Sequence, residues 1–161
     1  MSDIRDKVTG METQIDSDED TDPAYFNDTI RGLVHRVFYA HGAIERGIED
    51  LIIGLIIPGE PGLKPDEIPN EIIEQRLKLL ELLQEMDFYR KLEFAKSKGL
   101  LSGKAQEKFI IVNRIRNDFA HPDHYDMKKY SDETLRNGIL EKLLEGLKTL
   151  HGLFNHFANP V

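Results

Sequence analysis

The sequence predicts an all-α bundle of about five helices. Three observations carry this. Two long segments place apolar residues at alternating spacings of three and four, the repeat of one buried helix face. Proline, glycine and capping residues punctuate the chain at helix-length intervals. No stretch alternates apolar and polar residues as a half-buried strand does.

Asp22-Pro23 reads as a helix start with proline in the first turn. From there Ile30, Val34, Val37, His41, Ile44, Ile48, Leu51 and Leu55 form one stripe that ends at Pro58-Gly59. The Pro/Gly-rich loop PGEPGLKPDEIPN follows, and Asn70 is positioned to cap a second, leucine-dense helix from Glu71 to about Met86. A third helix, Phe88 to Lys98, should stop at Gly99 through a left-handed cap. Ser102 then reads as the N-cap of a fourth helix through Phe109, Val112, Ile115 and Phe119, ending near His121 because the next residue is Pro122. Ser131 reads as the cap of a fifth, with Leu140, Leu143, Leu147, Leu150, Phe154 and Phe157 on its buried side.

Charge divides the chain. Residues 1–22 carry eight acids against two bases, a net of −6, while residues 23–161 carry 21 acids and 19 bases. The expected organisation is a disordered acidic tail over 1–22 and a single helical domain over 23–161. Such a tail would either solubilise the domain or compete weakly with an anionic ligand. The absence of cysteine excludes disulfides, thiolate zinc sites and a cysteine nucleophile. The longest apolar run, Leu51 to Ile57, is about a third of the ~20 residues a membrane span requires. A cytoplasmic protein without membrane contact is expected.

The stretch RIRNDFAHPD, Arg114 to Asp123, carries the chemistry. On a helix Arg114, Asn117 and His121 share a face, whereas Arg116 lies five residues before His121 and about 140° from it. The two can meet only if the last turn unwinds or a second subunit brings its own copy. The set suffices for metal-free RNA cleavage. The histidine moves the 2′-hydroxyl or 5′-oxygen proton, an arginine stabilises the phosphorane, and Asn117 positions the phosphate. Arg114, Asp118 and His41 complete the candidate substrate-binding set. The plain structural alternative is an arginine pairing with helix-end carbonyls or with Asp118, and His121 as a polar cap.

Arg116-Asn117-Asp118-Phe119-Ala120-His121 resembles the R-N-x-x-x-H signature of the HEPN superfamily, all-α domains many of which are RNases of toxin and antiviral systems. KLEFAKSKGLLS (Lys91 to Ser102), IRNDFAH and the upstream GAIERGIEDLI (Gly42 to Ile52) resemble the mannitol repressor family. The Pro/Gly loop and the leucine-rich second helix depart from that family's pattern. The HEPN resemblance implies Arg116 and His121 as the catalytic pair, Asn117 as the polar residue beside them, no cofactor, and a homodimer that joins two motifs in one cleft. The expected function is metal-independent endoribonuclease activity on RNA, with an antitoxin or regulatory protein as a further partner. Rival readings are a regulator acting through protein contacts, as the mannitol repressor likeness implies, and an inactive RNA- or nucleotide-binding module.

Two further features have competing explanations. His121, Asp123, His124 and Asp126 have spacings that suit a divalent metal or a solvated loop. Phe88 to Phe119 holds eight bases against three acids, either a nucleic-acid face or an ordinary solvated one.

Overall fold

The computed structural model describes residues 23–60, 62–121 and 129–158, with side chains from residue 31 to residue 157. Among the described residues five α-helices form the fold: α1 (Pro23–Ile56), α2 (Asn70–Glu85), α3 (Phe88–Ser97), α4 (Gly103–Ala120) and α5 (Glu133–Ala158). Short 3₁₀ turns at Pro65–Glu67 and Lys129–Ser131 precede α2 and α5. No strand occurs among the described residues. The expected all-α bundle is what the chain forms. The acidic tail over 1–22 lies outside the described residues.

α1 is the central element and packs against each of the other four helices. Its stripe buries Leu33, Val37, Ile44, Ile48 and Ile52 completely or nearly so. Phe109 and Val112 from α4, Leu92 from α3, and Leu143, Leu147 and Leu150 from α5 close the core around it. Fully burying each such side chain is worth about 1.5–3 kcal/mol. The stripes fade at their ends, since Leu55 and Phe157 are largely exposed. No helix among the described residues is long and apolar enough to cross a membrane.

Local chemistry sets the helix ends. Gly99, at φ 73°, ends α3 in a Schellman motif. The Leu100 N–H donates to the Ala95 carbonyl at 2.9 Å and the Gly99 N–H to that of Lys96 at 3.0 Å. Asp87 caps α3 by accepting from the Arg90 N–H at 2.8 Å, and Ser102 caps α4 by accepting from the Ala105 N–H at 3.2 Å. Two expected caps are displaced by one residue. Asn70 is the first residue of α2 and Pro69 holds the cap position, where its carbonyl receives the N–H groups of Ile72 and Ile73. Ser131 belongs to the 3₁₀ turn, and Asp132 accepts from the Thr134 N–H at 2.9 Å.

Two glycines let α5 approach its neighbours. A Cβ on Gly47 would lie 2.6 Å from Leu150 Cδ1, and one on Gly146 would lie 2.8 Å from Val112 Cγ2 and 3.1 Å from Ile44 Cδ1. Gly146→Val should therefore destabilise the fold by about 1–3 kcal/mol, because β-branched Val112 cannot turn aside cheaply. Gly138→Ala on the same helix meets nothing within 4 Å and should stabilise it by up to ~1 kcal/mol through helix propensity. Urea unfolding of the two variants checks the pair; shifts of the same sign would refute the close approach.

Candidate functional site

The last two turns of α4 carry the motif. Arg114, Asn117 and Asp118 are exposed, Arg116 is half-buried, and His121 is the exposed C-cap residue. The helix stays regular to Ala120. Its last turn therefore does not unwind to bring Arg116 and His121 together, and within one chain they occupy different faces about 140° apart. Of the metal reading, only His121 falls among the described residues. Among those residues no group of three or more His, Cys, Asp or Glu side chains is placed to hold a metal ion.

Arg116 turns toward α1. Its guanidinium carbon lies 5.8 Å from the centre of the Phe38 ring, a cation–π contact, and Nη1 donates to Asn117 Oδ1 at 3.1 Å. Its Nε is buried and has no hydrogen-bond partner. Arg116 forms no ion pair with any described carboxylate, Asp118 included. Two positions apart, Arg116 and Asp118 do not face each other on a helix. The alternative of an Arg116–Asp118 pair is therefore not realised.

His41 sits beside this arginine. It is 6% exposed, and its Nε2–H donates to Asn113 Oδ1 across the α1–α4 seam at 3.0 Å. Its ring lies 4.6 Å, centre to centre, from Phe88, and its Nδ1 is 3.9 Å from Glu45 Oε2. Burial lowers its pKa below 6.5, and the charges of Arg116 and Lys91 push the same way. Glu45 and the bond to Asn113 oppose them without prevailing. The imidazole is neutral at pH 7.

Behind His41 lies a buried ion cluster. Lys91 of α3 is 2% exposed, and its ammonium donates to Glu45 Oε1 at 2.7 Å and Glu49 Oε1 at 2.9 Å. Burial alone would lower its pKa, but the two carboxylates outweigh this and raise it, so Lys91 stays charged. Phe38, His41, Glu45 and Glu49 thus form one line along α1 at spacings of three, four and four. It joins the motif on α4 to Lys91 on α3.

Sequence reasoning named Arg116 and His41 but missed Asn113, Glu49 and the role of Lys91. The available signal was the polar run His41, Glu45, Glu49 inside an otherwise apolar helix face. The basic stretch from Phe88 to Phe119 does not form one surface: Lys91 is buried, and Lys108 pairs with Glu145 at 2.9 Å. No protein-family model, no curated protein and no solved structure matches the chain.

Two outcomes follow. Unfolded His41 would titrate near its ordinary 6.5 and folded His41 lower, so between those values the unfolded chain binds more protons. This contribution to stability is present above pH 6.5 and is lost as pH falls through the folded pKa. The fall in urea midpoint from pH 7.5 to 5 should be smaller in His41→Gln than in the parent; equal falls would contradict a depressed pKa. Lys91→Met leaves two facing carboxylates without their cation and should cost about 3–5 kcal/mol, partly recovered by adding Glu49→Gln. A loss within the ~0–1 kcal/mol range of an exposed pair would show that the cluster is not energetically buried.

Proposed function

We propose that the protein is a metal-independent endoribonuclease whose cleft is completed by a second copy of the chain. The observation that carries this is the state of Arg116. Its guanidinium is half-buried, held by Phe38 and Asn117, and has no carboxylate partner among the described residues. Most arginines so placed are neutralised by an acid. One without an acid is suited to a phosphate diester, whose free oxygens can accept from the N–H groups that Asn117 does not engage.

The chemistry is that of transesterification. His121 removes the 2′-hydroxyl proton, or donates one to the departing 5′-oxygen, since its imidazole is exposed at the helix end. The 2′-oxygen bonds to phosphorus as the bond to the 5′-oxygen breaks, leaving a 2′,3′-cyclic phosphate and a 5′-hydroxyl. Arg116 stabilises the charge on the phosphorane, and Asn117, already bonded to that arginine, fixes its direction. The unbroken helix between them supports the dimer. With α4 regular to Ala120, Arg116 of one chain and His121 of another can face one phosphate, while the two of a single chain diverge.

A second reading, a regulator that works through protein contacts, is favoured by α2. Its Ile73, Leu77 and Leu80, with Ile53 of α1, line an open groove of about 460 Å³, and Leu82 is 62% exposed. An exposed apolar face of this kind marks an interaction surface more often than a catalytic one.

Arg116→Ala and His121→Ala should each lower RNA cleavage by about 10²–10⁴-fold while leaving the far-UV circular dichroism unchanged. Chelator should not affect the parent enzyme. Mixing the two inactive variants should restore activity, because a mixed dimer carries one cleft with both groups intact. Intact RNA after incubation with the parent protein would remove the enzyme reading. Active parent with no complementation would remove the shared cleft alone.

A further inference from the structure

We propose that Phe38 and the Arg116 guanidinium together form a nucleobase-stacking site, so that an RNA chain held at Arg116 by its phosphate is also gripped by the adjoining base. The inference rests on the ribonuclease reading for its class of ligand and adds to it a contact with the base itself.

Phe38 is out of place as a structural residue. It lies on the helix that supplies the largest share of the core, between Val37 at 0% and Ala40 at 2% exposure, yet is itself 40% exposed. Among the described residues its cationic neighbour is Arg116, 5.8 Å from the ring centre. Exposing an aromatic side chain forfeits the free energy of its burial.

What the ring adjoins identifies the ligand. A guanidinium without a carboxylate partner attracts an anion, and an aromatic face beside it attracts a flat apolar one. A nucleotide presents both, one ribose apart. Unstacked bases of single-stranded RNA are held in this manner, on phenylalanine rings and on the planes of arginines. Stacking accepts any base, since each has a π-face, so the site should tolerate sequence variation. Asn113, bonded to His41 one helical turn before Arg116, keeps that part of the seam closed, so a bound nucleotide would lie over the outer side of Phe38.

The sequence contains no tryptophan, so Phe38→Trp places a single fluorophore at the site. In a His121→Ala background, which prevents cleavage, binding of oligouridylate should quench that fluorescence, whereas an oligomer of the same length with abasic positions should not. Phe38→Leu in the same background should weaken oligouridylate binding by roughly 5- to 150-fold, the range of base–aromatic stacking, and leave abasic binding unchanged. Equal losses on both oligomers would overturn the proposal and make Phe38 a support for Arg116. So would a change in oligomeric state on Phe38→Leu, which would make it an interface residue. Unchanged affinity in Phe38→Leu, with cleavage by the parent intact, overturns this inference and leaves the ribonuclease reading standing. Loss of both RNA binding and cleavage in the parent protein itself removes the two together.

Discussion

Lys91 is the constraint on which the arrangement of α1, α3 and α4 depends. An ammonium 2% exposed cannot remain charged unless acids meet it, and Glu45 and Glu49 do so at 2.7 and 2.9 Å. Both acids come from α1, one turn apart, so the contact fixes where α3 lies along α1 and how it is rotated. The apolar side chains around it do not. Leu92 and Phe88 could pack against a helix rich in isoleucine and leucine in more than one register, whereas one cation can bridge one pair of carboxylates. A buried ion cluster is weak evidence for stability, because an apolar replacement of equal volume is often as good. Its value here is in the single geometry it selects.

That geometry extends to the motif through His41. Glu45 faces Lys91 with Oε1 and lies 3.9 Å from His41 with Oε2, and His41 reaches Asn113 on α4. One ammonium between two carboxylates leaves a net negative charge on the α3 side of the seam. Arg116 supplies a positive one on the α4 side. The imidazole between them is pulled both ways, and burial decides for the neutral form. A neutral His41 does not compete with Arg116 for an anion, and its bond to Asn113 holds the turn of α4 from which Arg116 projects. The direction of the arginine is thus set from three helices, although among the described residues its cation–π and hydrogen-bond partners are Phe38 and Asn117.

The parts that could be read from the sequence are those written locally. The stripes of α1 and α5, the glycine stop at Gly99 and the serine cap at Ser102 each depend on residues within one or two turns, and each is as expected except that the stripes stop short of Leu55 and Phe157. The two misplaced caps failed by one position, at Pro69 against Asn70 and at Asp132 against Ser131. Ser131 and Asp132 can both cap, and at Pro69, which has no side-chain acceptor, the backbone path alone sets where the helix begins. The polar line of the site was illegible for a different reason. His41 and Asn113 are 72 residues apart and Lys91 and Glu45 are 46 apart, so no spacing rule connects them. A polar residue in an apolar stripe reveals that it must find a partner; it does not reveal which.

α4 itself imposes the last constraint. Ile115 and Phe119 must face inward for the helix to stay docked, and Phe119 is buried against Tyr130 with ring centres 4.9 Å apart. Those two positions leave Arg116 on one flank, toward α1, and send Asn117 and His121 toward the other. The helix cannot rotate to present both without lifting its aromatic anchor from the core, a loss of the order of 3–5 kcal/mol for a large buried side chain. Unwinding the last turn would bring the groups closer only by breaking the backbone bonds that end at Ala120. For Arg116 and His121 to act on one phosphate, the inexpensive solution is therefore to leave each α4 intact and add another copy of it. A two-fold axis near the helix end would set the arginine flank of one chain against the histidine flank of its partner. The packing that keeps the two groups apart within a chain would then define a cleft between chains.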